Sequence, residues 1–318
     1  MLARHAEDLF WVGRYLERAE DTARMLDVTY HGVLEAGSER RPAEVWAELL
    51  EVLFLEDEGL GVDDGGELGA TLLADRSFPG SIVSVIGRSR ENARTTREWL
   101  SVEVWEAINE LYLRLGRLDL VGAARTQPYD VLRIIRTSCH AVTGSVDASM
   151  PRGEGYRYFL MGERLERAMI TTRVLAVWHR RLGGFTSHAA FAEWVKLLKS
   201  VSAYEAYLRE HRASMDGHRV LGFLLQSSDF PRSVLSCVER VEGLLVRLEG
   251  DGVGRRSRRR AGVVRSAVEF AEPGRMSADD LGSFLDGVEA DLIELASSIE
   301  DDYFRPQGSH LMHSYEAF

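Results

Sequence analysis

Apolar residues recur near the start of the chain at intervals of three and four: Leu9, Val12, Leu16, Ala19, Ala23 and Leu26. At 3.6 residues per turn they form one stripe, which predicts an amphipathic helix over 4–30. Similar patterning predicts helices over 43–57, 79–100, 102–116 and 128–147, and then over 155–182, 189–212, 231–249, 260–271 and 278–303. Alternation of period two, the mark of a half-buried strand, is nearly absent. The expected fold class is therefore all-α, a multi-helix bundle. Pro79 and Pro231 suit the first turn of a helix, where a missing N–H costs nothing, and Ser101 suits an N-cap. Breaks fall at the acidic, glycine-rich 56–69, at 151–155, and at 250–254. The basic run 255–260 reads as a solvated loop. Residues 306–318 carry no period and read as a flexible tail, whose GSHLM stretch resembles a cloning remnant.

The pattern is written twice. "FWVGRYLERAEDTARML" at 10–26 and "FLMGERLERAMITTRVL" at 159–175 share nine of seventeen positions. Trp46 matches Trp194 at an offset of 148, and Phe-Pro-x-Ser at 78–81 matches 230–233 at an offset of 152. Three anchors in one order at nearly constant offset imply two tandem pseudo-repeats of about 150 residues, since helical propensity alone does not preserve order and spacing together. The expected division is a first helical repeat over 1–149, a second over 150–305, and the tail, with both repeats sharing one core.

Opposite the apolar stripe of the first helix stand Arg14, Glu17, Arg18, Asp21 and Arg24. A solvated face stitched by surface ion pairs would contribute only about 0–1 kcal/mol per pair. In the second copy Glu163 replaces Arg14 and Ile170 replaces Asp21, whereas Glu166, Arg167 and Arg173 keep their places. Charges that persist while their helical neighbours change point to partners on another helix, or to a ligand. Phe10, Trp11, Met25, Phe159, Met161 and Ile170 around the face agree with burial. Arg14, Glu17, Arg18, Arg24, Glu166, Arg167 and Arg173 are thus the candidate ionic network. A second set, Arg90, Arg94, Arg97 and Ser101, falls within about 60° on one helical wheel. Arginine captures carboxylate or phosphate bidentately, so these are anion-binding candidates, with pairing to neighbouring acids as the alternative.

Composition narrows the chemistry. The net charge of −11 disfavours nucleic acid and anionic lipid as partners. Two cysteines, Cys139 and Cys237, make neither a disulfide framework nor a zinc spacing. No signal peptide and no membrane span are apparent, so a cytoplasmic protein is expected. No nucleotide-binding loop, nucleophile elbow, di-iron Glu-x-x-His or EF-hand spacing occurs, and no metal or cofactor is expected.

The phrases "MLARHAEDLFWVGRYLERAEDTARML", "ENARTTREWLSVEVWEAIN" and "YRYFLMGERLERAMITTRVL" resemble the bacterial alpha-E family, an all-helical group named for its Glu-Arg motif. The resemblance spans roughly 1–305 and places the motif at Glu17–Arg18 and Glu166–Arg167. It implies company with a circularly permuted ATP-grasp ligase-like protein, often beside a transglutaminase-like protease. That company implies peptide synthesis or modification, with a peptide or carboxylate substrate. The leading expectation is a non-catalytic helical partner or substrate-binding module of that ligase. Two alternatives stand beside it: an amide or aminoacyl transferase using a motif glutamate as base, and a structural homodimeric scaffold.

Overall fold

The structure is a computed structural model that describes residues 1–35, 41–185, 191–211, 215–249 and 254–305. Among these the chain is all-helical and contains no strand. Its first half holds α1 (Ala3–Glu35), α2 (Pro42–Val52), α3 (Gly65–Ala74), α4 (Ile82–Thr95), α5 (Val102–Leu115), α6 (Leu120–Thr126) and α7 (Tyr129–Ser149). Its second half holds α8 (Glu154–Leu182), α9 (Phe191–Ser200), α10 (Tyr204–His211), α11 (Gly217–Gln226), α12 (Val234–Leu248), α13 (Arg255–Glu269) and α14 (Ala278–Ile299), which ends in a π turn, Glu300–Phe304. The tail lies outside the described residues.

The long helices α1 and α8 pack against one another and form the centre. Around them, α4 and α7 flank α1 as α12 and α14 flank α8. The outer helices repeat the arrangement: α5 bridges α4 and α7, and α13 bridges α12 and α14. The two central helices touch through glycine. A Cβ on Gly13 would land on the carbonyl oxygen of Phe159, and one on Gly162 on the carbonyl oxygen of Phe10. Backbone atoms cannot yield as a flexible side chain can, so hydrogen is the only side chain that fits at either crossing position.

Local chemistry sets the helix ends, and several depart from the sequence expectation. Helix α4 begins at Ile82 and α12 at Val234, each capped by the preceding serine, Ser81 and Ser233, whose hydroxyls accept from Ser84 N and Ser236 N. Pro79 and Pro231 therefore precede the caps rather than occupying a first turn. Three short helices, α3, α6 and α11, stand where none was expected, each with an aspartate cap: Asp64, Asp119 and Asp216. The single helix expected over 189–212 is broken between α9 and α10 at Ser202, which has φ +52°, and α2 stops before Phe54, at φ +59°. The basic run 255–260 is no loop but the first turns of α13, with Glu249, Asp301 and Glu294 paired to Arg258, Arg256 and Arg260.

Candidate functional site

The Glu-Arg phrases meet where α1 crosses α8, and they meet crosswise. Arg167 donates to Glu17 through Nε and Nη2, both at 2.7 Å. Arg18 donates to Glu166 through Nε at 2.6 Å. The acid of each phrase thus pairs with the arginine of the other. One of the positions at which the two phrases differ completes the set. Arg14 donates Nε to Glu166 at 2.7 Å, and Glu163, its replacement in the second phrase, accepts from Arg167 Nη2 at 2.6 Å. Aromatic faces close over Arg14, whose guanidinium lies 5.0 Å from the Trp11 ring centre.

Next to the crossing, α1 adds two acids that α8 lacks. Glu17, Glu20 and Asp21 have carboxylate oxygens within 4.8 Å of one another, and all three residues are buried. That is the spacing of a cation site, but an arginine already fills it. Arg232 donates to Glu17 at 2.8 Å, Asp21 at 3.0 Å and Glu20 at 2.6 Å. Its backbone is fixed by the Thr171 hydroxyl, which donates to the Arg232 carbonyl at 2.9 Å, and by the Ser233 cap that follows. Arg24 bonds Glu20 and Asp21 from the other side and donates to the carbonyl of Ser200, at the end of α9. Correspondingly, Arg173 donates to the carbonyl of Glu51, near the end of α2, at 2.9 Å and pairs with Glu289 and Glu56.

The electrostatics follow. Burial pushes the Glu17 carboxyl upward, yet the guanidinium groups of Arg167 and Arg232 outweigh it and bring the group down to about 2. Glu20 is held well below the usual range in the same way, burial being overcome by Arg232 and Arg24, and Glu166 is lowered by Arg14 and Arg18 against burial. Burial lowers Arg24 to about 10 despite Glu20, so it stays charged near neutrality. The thiols of Cys139 and Cys237 are pushed up by burial, the latter to about 11, which makes both poor nucleophiles.

Two small cavities flank the crossing. One of about 250 Å³ is bordered by Glu17, Glu20, His140, Arg167 and Arg232, and one of about 210 Å³ by Arg14, Arg18, Glu166 and Phe54. The structure thus brings Arg14, Glu17, Arg18, Arg24, Glu166 and Arg167 into one place and sets Arg173 about two turns beyond Arg167 on α8, against α2 and α14. Arg232 was not foreseen in the sequence. Its only signal was an arginine in "FPRS" where the first half has Gly80 in "FPGS". The expected arginine row bends where α4 ends at Thr95, yet Arg90 and Arg94 share Glu91, and Arg90 and Arg97 both lie over Trp105. Arg90 bonds Asn109 and Glu91 and lies over Tyr112, Arg94 pairs with Glu91, and Arg97 lies over Trp105 in a 3₁₀ turn. Ser101 caps α5 and bonds Ser149.

Comparison with known proteins bears on the motif at the centre of this geometry. A family described as a predicted alpha-helical domain with a conserved ER motif matches residues 1–304. The chain belongs to this Alpha-E family. Uncharacterised proteins from Mycobacterium bovis and from two strains of Mycobacterium tuberculosis are 24% identical to it over 316 residues. The match covers 93% of this chain and 35% of each relative, so the chain spans about a third of their length. No solved structure matches. In this Alpha-E chain the two letters of the motif are the acid and the base of two reciprocal salt bridges across the central helix pair.

Proposed function

We propose that the chain is two copies of one helical unit, 1–149 and 150–305, locked face to face by the Glu-Arg motif, and that the lock is structural rather than catalytic. The reciprocal pairs Glu17–Arg167 and Arg18–Glu166 carry this reading. Other equivalent details support it. Gly65 packs under the Trp46 ring and Gly217 under the Trp194 ring. The non-glycine residues of positive φ, Phe54 and Ser202, stand at the same offset as the two tryptophans.

On this reading the chain serves as a non-catalytic module that docks on, or presents substrate to, an amide-forming ligase of the ATP-grasp type. The ligase is suggested by the family resemblance and would itself bring ATP and magnesium. The electrostatics favour this over a transferase that uses Glu17 as base. A carboxylate held at about 2 by two guanidinium groups takes up a proton weakly near neutral pH. The test is to reconstitute the chain with a ligase of that type and measure turnover with and without it. Increased turnover that survives Glu17→Asp is the expected result. Amide transfer by the isolated chain, abolished by Glu17→Gln with folding intact, would overturn the reading.

A further inference from the structure

A larger cleft, of about 540 Å³, lies between the C-terminal half of α1, α7, α9 and the start of α10. Small-molecule sites run from about 300 to 1,000 Å³. Four cationic side chains border it, Arg24, Arg136, Lys196 and Lys199, against the carboxylates of Asp27 and Glu205. Arg24 is committed to Glu20 and Asp21, Arg136 reaches Asp27 at 3.1 Å, and Lys196 lies 3.7 Å from Glu193. Lys199 differs. Its ammonium lies 6.0 Å from the Tyr204 ring centre, and it has no carboxylate partner among the described residues. Lys199 is thus the cation on this concave wall that no carboxylate among the described residues matches, and a charge so placed attracts anions locally.

The groove at the corresponding place in the first half shows what this cleft lacks; the comparison rests on the repeat reading above. There α8 presents Arg180 and Arg181, and α2 presents Glu51 and Glu48. Arg180 bonds Glu51 and Arg181 meets Glu48 at 3.2 Å, so the chain fills its own groove with ion pairs. In the second half the flanking charges are reversed: Lys196 and Lys199 stand where Glu48 and Glu51 stand. The central helix offers no long acid in return. His31 and Gly32 on α1 occupy the places of Arg180 and Arg181. The groove therefore stays open, and Lys199 is left without an acid partner among the described residues, whereas its counterpart Glu51 finds a base in Arg180.

We propose that this cleft binds a small ligand carrying a carboxylate or phosphate on an apolar or aromatic body. Lys199 and Arg136 hold the anion, and Phe191, Val195 and Tyr204 receive the body. Phe191 is 58% exposed and supplies apolar surface at the rim. The probes are N-acetylphenylalanine, its neutral amide and phenyl phosphate, titrated into the full chain by calorimetry or NMR. At least one of the two anions is expected to bind saturably, and the tighter one identifies the acid class. The amide should bind about tenfold or more weaker, the scale of one charge-assisted hydrogen bond. Lys199→Gln should weaken the anion by a similar factor, whereas Arg180→Gln in the filled groove should leave binding unchanged. Gly32→Glu supplies the missing acid internally. A Cβ there makes only ordinary contact with Val45, 3.6 Å away, so the variant should fold and lose anion binding. Equal binding of amide and acid, unchanged affinity in a folded Lys199→Gln, or no saturable binding up to about 10 mM would overturn the proposal. The titration uses no ligase, so failure to stimulate a ligase leaves its result intact.

Discussion

At the scale of single residues, Arg18 and Arg167, the arginines of the two Glu-Arg phrases, are not equally protected. The Arg167 side chain is 10% exposed and bonds Glu17 and Glu163, whereas that of Arg18 is 36% exposed and holds Glu166 alone. Removing Arg167 strands the buried Glu163 and leaves Glu17 with Arg232 alone. Arg167→Ala should cost about 3–5 kcal/mol, the range for breaking a buried pair. Arg18→Ala should cost clearly less, because Arg14 still neutralises Glu166. Urea titration of the two variants checks the order, and equal losses would contradict the assignment. The same geometry fixes the response to acid. The folded pKa of Glu17, about 2, lies below the ordinary 4.5, so its charge contributes stability that is fully present above about 4.5. That stability is lost as the pH falls from there toward 2. Glu20 and Glu166 act with the same sign. Glu17→Gln should be less stable at neutral pH and lose less of its remaining stability over that interval, as melting temperatures across the range would record.

At the scale of elements, the central contact depends on two helices coming close enough to touch through backbone. Gly13→Ala and Gly162→Ala each place a methyl on a carbonyl oxygen of the facing helix, so α1 and α8 must separate and the ion pairs stretch. Each substitution should destabilise by about 1–3 kcal/mol, the overpacking range. Gly144→Ala in α7 meets no atom within 4 Å and should be neutral or stabilising by up to about 1 kcal/mol through helix propensity. Thermal melts of the three variants separate packing from propensity. The long helices were legible in the sequence because a helix half-buried against a core writes its period into many turns. Helices α3, α6 and α11 were not, because they span 10, 7 and 10 residues and give a period little room. Their visible signals were the capping aspartates, each followed by glycine or leucine instead of a long amphipathic run. The run at 255–260 misled because its charge is neutralised by acids elsewhere in the chain, including Asp301 more than forty positions away.

At the scale of the whole molecule, the persistence of Glu-Arg in both phrases while its neighbours changed points to partners on another helix or to a ligand, and Glu17, Arg18, Glu166 and Arg167 pair across the two central helices. Which charge met which was not legible, since the pairing is reciprocal between phrases 149 residues apart. Arg232 was hidden for another reason: it balances Glu20 and Asp21, whose counterparts on α8 are Met169 and Ile170, so repetition itself gave no cue. This asymmetry bears on how the molecule unfolds. Helix α1 borrows Arg167 and Arg232 from the second half, and Glu166 there borrows Arg14 and Arg18 from the first. Neither half can detach without leaving buried charge unpaired, a cost that falls on both sides at once. The two halves should therefore unfold in one transition despite the length of the chain. Trp46 and Trp194, one in each half, offer separate reporters. Variants that keep Trp46 or Trp194 as the sole tryptophan, the other five of the chain's six replaced by phenylalanine, should give the same urea midpoint, coincident with loss of helix by circular dichroism. In an Arg167→Ala, Glu166→Ala, Arg232→Ala background the reciprocal pairs and the remaining borrowed arginine are gone, and the two reporters should separate. Distinct midpoints already in the native sequence would mean that the halves are merely adjacent, with the Glu-Arg crossing too weak to couple them.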